Sequence, residues 1–258
     1  EKEYGIWQTW TWKDAAQTVQ QLACGLLALG FRRGQNLALI GDNRPHLYMS
    51  MVAVQSVGGV PIPLYQDAVA TEMTFVIEDA EVQFFFAENQ EQVDKLLEVR
   101  ESVPSVTHII YDDPRGLRNY EQPGLISTEK LMALGAEWDR AHPGAWKAEV
   151  ERNRPEDVSV ILYTSGTTGK PKGVCQTHSA FIASAQGGVE VDRLVPTDNI
   201  ISYLPPAWVG DHLFSVAQWL VAGFTINCPE SAGTVSIDLR EIGPTYYFAP
   251  PRVFEGLL

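Results

Sequence analysis

The chain has 258 residues, with 19 Lys plus Arg against 32 Asp plus Glu and a net charge of −13. At roughly 150 residues per domain this length holds one large domain or two small ones, and a composition 45% hydrophobic and 20% charged excludes a disordered or collagen-like chain. The acidic balance argues against a nucleic-acid partner, whose phosphates call for excess Lys and Arg.

The chain begins Glu1-Lys2-Glu3, with neither Met nor a signal-peptide pattern, and is expected not to start at the native terminus. Trp7, Trp10 and Trp12 read as an extended segment packed across the domain. Val19, Leu22, Ala23, Leu26 and Leu27 share one face of a helix over 13–29, stopped by Gly30. An apolar strand follows at 36–41. Asn43 then caps a helix that has Pro45 in its first turn and runs to about 57. The uncharged stretch 47–65 contains Gln55, Ser56, Gly58, Gly59, Pro61 and Pro63. It reads as a buried helix running into a buried strand, because a membrane span needs about 20 mostly apolar residues. The uncharged stretch 213–229, broken by Gln218, Gly223 and Asn227, reads the same way. Glu72, Glu78 and Asp79 are taken as solvated helix charges.

Further strands are expected at 82–87, 106–111, 158–163, 199–204, 224–228 and 245–249. Their near-continuous hydrophobicity marks strands covered on both faces. Helices are expected at 90–100, 127–134, 179–189, 211–221 and 235–242, with surface connections at 112–125 and 138–157. Strand alternating with helix predicts α/β layers with mostly parallel sheets. Cys24, Cys175 and Cys228 form no C-x-x-C pair and read as buried thiols of a reducing cytosol; no metal site is read from the sequence.

One segment carries the chemistry: 163–174, YTSGTTGKPKGV, directly after the strand 158–163. Residues 164–173 gather four hydroxyls, three glycines and two lysines. Glycines let backbone N–H groups turn inward without a Cβ clash, and successive inward N–H groups make an anion-binding concavity. Hydroxyls donate to phosphate oxygens and a lysine adds a compact positive charge. Between 158 and 189 there are two lysines and no acids, a positive island in an acidic chain. The plain alternative is a solvated turn built of ordinary turn residues. Neither G-x-x-x-x-G-K-[ST] nor G-x-G-x-x-G occurs, and G-x-S-x-G and H-E-x-x-H are also missing.

The string 163–174 resembles the phosphate-binding signature of the adenylate-forming superfamily, and the similarity covers nearly the whole chain. Residues 5–12 (GIWQTWTW), 41–45 (GDNRP) and 244–257 (PTYYFAPPRVFEGL) look most like its long-chain fatty acyl-CoA synthetase branch. The resemblance implies two similar layered α/β subdomains, about 43–190 and 1–42 plus 197–258. The 258 residues would be part of an N-terminal adenylation domain, without the C-terminal domain. It implies that Thr164, Ser165, Thr167 and Thr168 donate hydroxyls to the ATP phosphates and that Gly166, Gly169 and Gly173 supply N–H groups. Lys172 would neutralise the leaving pyrophosphate, so that Lys172 and Thr168 are the catalytic candidates. The implied substrates are a fatty acid, ATP and coenzyme A, with Mg²⁺ bridging phosphate oxygens. The implied activity is an AMP-forming ligase of lipid metabolism in the cytoplasm, with peripheral membrane contact of the parent left open.

Residues 202–212 (SYLPPAWVGDH) match a family segment that lines the acyl pocket, where this chain departs from the family's frequent His by carrying Trp208. Its ring is read either as a wall of an acyl tunnel or as core packing. Asp211 and His212 are adjacent and so do not face each other on a helix. His178 is expected near the start of a helix capped by Thr177 or Ser179. Two rival readings stand beside the ligase: transfer of acyl-AMP to a carrier protein, and a non-catalytic nucleotide-binding module. The family also uses a Tyr-Gly-x-Thr-Glu-like segment and further groups downstream of the phosphate signature. None follows Val174 here, so these residues alone are expected to be inactive.

Overall fold

A computed structural model of the chain describes residues 1–164 and 170–255. It divides into two compact units, 10–178 and 1–9 with 179–258.

The chain opens with a short antiparallel pair, β1 (Lys2–Glu3) and β2 (Ile6–Trp7), which belongs to the second unit. Helix α1 (Trp12–Ala28) starts the larger unit. The Thr11 hydroxyl accepts the Asp14 N–H and the Asp14 carboxylate accepts the Thr11 N–H, a reciprocal capping box. Gly30 ends the helix at φ +88°, a left-handed backbone that glycine adopts without a Cβ penalty. There follow β3 (Asn36–Ile40), α2 (Pro45–Ser56), β4 (Val60–Leu64), α3 (Ala70–Asp79), β5 (Val82–Ala87), α4 (Gln90–Val99), β6 (His108–Tyr111), β7 (Leu125–Ser127), α5 (Thr128–Ala141) and α6 (Ala145–Glu151).

Strands β3 to β7 form one parallel sheet in the order β4-β3-β5-β6-β7. The chain starts inside the sheet, steps to one edge at β4, then crosses back and works outward to β7. Alternate residues Ala38, Ile40, Phe85 and Ala87 are buried in one cluster with Met73, Ile77, Val93 and Leu96 of α3 and α4. The next residue along β5 from that set, Phe84, points the other way and meets the edge of Phe31 at 5.1 Å. Both faces are therefore covered, which is why these strands read as unbroken apolar runs.

Two glycines set the packing of α1 on α5. A Cβ on Gly135 would lie 1.9 Å from the Gln21 carbonyl oxygen, and one on Gly25 would lie 2.4 Å from that of Leu131. The unit closes with an antiparallel hairpin of β8 (Val158–Thr164) and β9 (Lys172–Thr177). Gln55 of α2 donates to the Ser159 carbonyl at 2.9 Å and fixes β8 to the helix layer.

In the second unit, α7 (His178–Asp192, its first residue still in the larger unit) leads to the parallel pair β10 (Asn199–Ile201) and β11 (Thr225–Asn227). Between them runs a helix in three parts: α8 (Val209–Asp211), a π-helical stretch His212–Ala217, and α9 (Gln218–Ala222). Helices α10 (Val235–Ile242) and α11 (Pro251–Glu255) follow. Lys2 is buried against α10, donating to Asp238 at 2.9 Å and Glu241 at 2.7 Å. The same Glu241 oxygen accepts the Trp7 indole N–H at 3.1 Å.

Several expectations are corrected. Residues 10–42 pack with the larger unit rather than the smaller, because β3 is paired on both sides by β4 and β5. Residues 245–249 form no strand; Thr245 and Tyr246 donate their N–H groups to the Asn199 carbonyl, and the Thr245 hydroxyl accepts the Asn199 N–H. The connection 138–157 contains α6. Arg44, not Asn43, is the N-cap position of α2, and the Asn43 amide donates instead to the Tyr48 hydroxyl. Cys175 is exposed while Cys24 and Cys228 are buried, because among the described residues β9 pairs with β8 alone and its first four residues face solvent. Among the described residues no helix is long and apolar enough to cross a membrane.

Candidate functional site

The signature 163–174 joins the two strands of the β8–β9 hairpin. Tyr163 and Thr164 end β8, Lys172 and Gly173 begin β9, and the register sets Thr164 opposite Lys172 and Tyr163 opposite Gly173. Ser165, Gly166, Thr167, Thr168 and Gly169 lie outside the described residues. Thr164, Lys170, Lys172 and Gly173 are all exposed, so the hydroxyl and both ammonium groups are open to an anion. Among the candidate phosphate ligands, the fold thus brings Thr164, Lys172 and Gly173 together at one end of a hairpin.

The base of the hairpin is fixed from beside it. Tyr163 is buried and its hydroxyl donates to the Asp79 carboxylate at 2.6 Å. Burial first, and then that carboxylate, push the phenol well above its ordinary range. Asp79, expected to be a solvated charge, therefore has a specific partner, which its exposed position at the end of α3 gave no way to foresee. The ammonium of Lys170 lies 5.9 Å from the centre of the Phe75 ring, at the outer limit of cation–π attraction. His178 begins α7, its backbone N–H donating to the Asp157 carbonyl, and burial lowers its pKa. Among the described residues no three His, Cys, Asp or Glu side chains gather closely enough to hold a metal ion.

The acyl-segment candidate lies in the second unit. Trp208 is half-buried, with its ring 6.3 Å from that of Phe248. Phe248 stacks on Phe214 at 3.9 Å and its carbonyl accepts the Tyr203 hydroxyl. A Cβ on Gly210 would stand 3.0 Å from the Trp208 ring, so the glycine leaves room for the indole. Asp211 accepts hydrogen bonds from Ser215 at 2.8 Å and Ser202 at 3.3 Å. His212 is buried against Phe181, its Nδ1 without a hydrogen-bond partner, and burial lowers its pKa to about 4. The two side chains thus serve different surroundings and form no dyad. The π-helical stretch was not legible in the sequence.

The larger unit is thus a mixed α/β layer with a parallel five-stranded sheet and an antiparallel hairpin that carries Thr164 and Lys172. The family model described as AMP-binding enzyme matches residues 2–258, and the chain belongs to that family. It is 25% identical over 260 residues to a long-chain-fatty-acid–CoA ligase of Rattus norvegicus, covering 98% of this chain and 35% of the relative. It is 27% identical over 256 residues to a long-chain-fatty-acid–CoA ligase of Mycobacterium tuberculosis, covering 97% and 40%. The chain therefore spans little more than a third of these curated relatives. Its fold resembles the adenylation domain of a carboxylate reductase from Mycobacterium chelonae, with a TM-score of 0.78, 19% identity, and coverage of 97% of this chain and 40% of that one. An anthranilate CoA ligase in complex with anthranoyl-AMP gives a TM-score of 0.75 at 22% identity, covering 92% and 44%. At these identities the solved structures speak to fold alone.

Proposed function

We propose that the chain is the phosphate-gripping part of an enzyme that activates a fatty, long-chain carboxylic acid with ATP and passes the acyl group to coenzyme A. In the first step a carboxylate oxygen attacks the α-phosphorus and pyrophosphate leaves, giving acyl-AMP. In the second the coenzyme A thiol attacks the acyl carbon, a new C–S bond forms and AMP leaves. The observation that carries this reading is the pairing of Thr164 with Lys172, which holds the two ends of the signature side by side with a hydroxyl and an ammonium exposed. Such donors suit a polyphosphate and suit metal-bound carboxylate chemistry poorly. Mg²⁺ would come in with the nucleotide and neutralise its phosphates, while Thr164 and Lys172 would face the phosphates and not the ion. The chain's own groups would bind and orient the β- and γ-phosphates and offset the charge growing on the leaving pyrophosphate. Trp208 and its aromatic neighbours Phe248 and Phe214 would wall the acyl chain.

The 258 residues contain no group assigned to the α-phosphorus, and gripping pyrophosphate without stabilising that centre does not accelerate the step. The test has two arms. Incubated with ATP, Mg²⁺ and palmitate, the 258-residue chain should form neither AMP nor acyl-AMP, while a parent extended by the downstream family elements should exchange pyrophosphate in a fatty-acid-dependent way. Multiple turnover by the short chain, or no exchange by the parent with any fatty acid, would overturn the reading.

A further inference from the structure

We propose that one face of α3 positions the two described stems of the phosphate segment, at Tyr163 and at Lys170, with Asp79 and Phe75 as the positioning residues. The proposal rests on the reading of 163–174 as a phosphate-binding segment.

Residues four apart on a helix share a face, so Phe75 and Asp79 look out from α3 in the same direction. Asp79 holds the Tyr163 hydroxyl at 2.6 Å, on the strand that enters the signature. Phe75 lies under the Lys170 ammonium, 5.9 Å away, on the side where the chain leaves it. The same helix face thus reaches both stems of the segment. Phe75 and Tyr163 are also continuous with the cluster that buries α3 against the parallel sheet, so both contacts are anchored in the unit's core.

Gly173 fits this scheme. It pairs with Tyr163 across the hairpin, and a Cβ there would stand 3.1 Å from the Tyr163 Cζ and 3.3 Å from its hydroxyl oxygen. Its lack of a side chain leaves the space in which the phenol lies over the hairpin and reaches Asp79. A Cβ there would also stand 2.9 Å from the Ile161 Cγ2 methyl, so the side chains of β8 crowd this position whatever its backbone N–H binds. An acid so close to a polyphosphate would repel it, and the phenol's hydrogen bond gives that charge a partner.

The experiment uses the 258-residue chain with Mg²⁺-pyrophosphate as the probe. Binding is measured by calorimetry and backbone amide exchange is followed without ligand, for Tyr163→Phe, Asp79→Ala, Asp79→Asn and the Tyr163→Phe/Asp79→Ala pair. One hydrogen bond corresponds to about a 5- to 10-fold change. Tyr163→Phe and Asp79→Ala should each weaken pyrophosphate binding by about that factor, and the pair should be no worse than either single change. Asp79→Asn keeps an acceptor for the phenol and should bind within about twofold of the parent chain. Amides of Val174 and Cys175 should exchange faster in the first two variants while those of Leu39 and Phe86 do not change. Losses that multiply in the pair, or single variants that bind like the parent chain, would overturn the proposal. If the parent chain binds no pyrophosphate, the phosphate reading fails, and the exchange rates still decide the positioning: acceleration confined to the hairpin supports it, and unchanged or uniformly faster exchange sinks it.

Discussion

Lys2 and Asp238 meet at 2.9 Å with 7% and 0% of their side chains exposed, so the second residue of the chain neutralises a carboxylate 236 positions later. Burial alone would push the Asp238 carboxyl up, but the Lys2 ammonium, the Thr234 hydroxyl and the Glu230 N–H outweigh it and hold it below the usual carboxylate range. Its contribution to stability is present above the ordinary carboxylate pKa and is lost as pH falls through the lower folded value. Lys2→Ala leaves the carboxylate buried beside a vacancy and should destabilise the fold, since removing one member of a buried pair leaves the other charge without its partner. Urea unfolding checks this; a loss under about 0.5 kcal/mol, the range of ordinary surface changes, would show that the pair contributes nothing.

His212 makes the second prediction. A group whose pKa falls from 6.5 to about 4 on folding binds its proton more readily when unfolded. Stability is therefore full above pH 6.5 and declines as pH drops toward 4, by about 3 kcal/mol in total. His212→Gln should flatten that part of the pH–stability curve. An unchanged slope between pH 6.5 and 4 would mean that the imidazole ionises without cost.

Gly135→Ala tests the crossing of α1 and α5. The new methyl would enter the space of the Gln21 carbonyl oxygen, and overpacking of this kind costs about 1–3 kcal/mol despite alanine's better helix propensity. A stabilised variant in thermal unfolding would show that the helices part without penalty.

Lys172→Ala, placed in the extended parent, should lower kcat/KM for ATP by about 10- to 150-fold, the equivalent of a charge-assisted hydrogen bond. Fatty-acid binding should change less. An unaltered pyrophosphate exchange rate would remove Lys172 from the site.

Trp208→Ala, also in the parent, should shift the chain-length preference. Each buried CH₂ contributes about 0.8 kcal/mol, roughly fourfold per methylene. An equal loss across all chain lengths would assign the indole to packing against Phe248 alone.

The parallel sheet was legible because its strands are buried on both faces and β3, β5 and β6 have no competing pattern. Residues 60–64, despite two prolines, form the buried strand expected at the end of the uncharged stretch 47–65; as β4 they lie at the edge of the sheet, where a missing N–H is tolerated. Strand β9 was hidden by composition: Gly, Lys, Gln and Thr give no apolar run, and only pairing with β8 makes them a strand. Residues 245–249 failed in the opposite sense, since Phe248 stacks on Phe214 and Tyr246 lies tilted beside it, and neither serves a sheet face. The phosphate signature itself was plain in the sequence. Its support by Asp79 was not, because a contact 84 positions away leaves no local periodic trace.

The ion pair at Lys2 bears on biosynthesis. Residues 1–9 belong with 179–258, whereas 10–178 form a continuous stretch. A ribosome adding about 5–20 residues per second needs roughly 12–50 s between Lys2 and Asp238. During that interval the larger unit has all of its residues available, while the first nine wait with an unpaired ammonium. Lys2 and Asp238 can meet only late, so a nascent-chain stall before residue 238 should leave residues 1–9 open to protease although every residue of the larger unit has already been made.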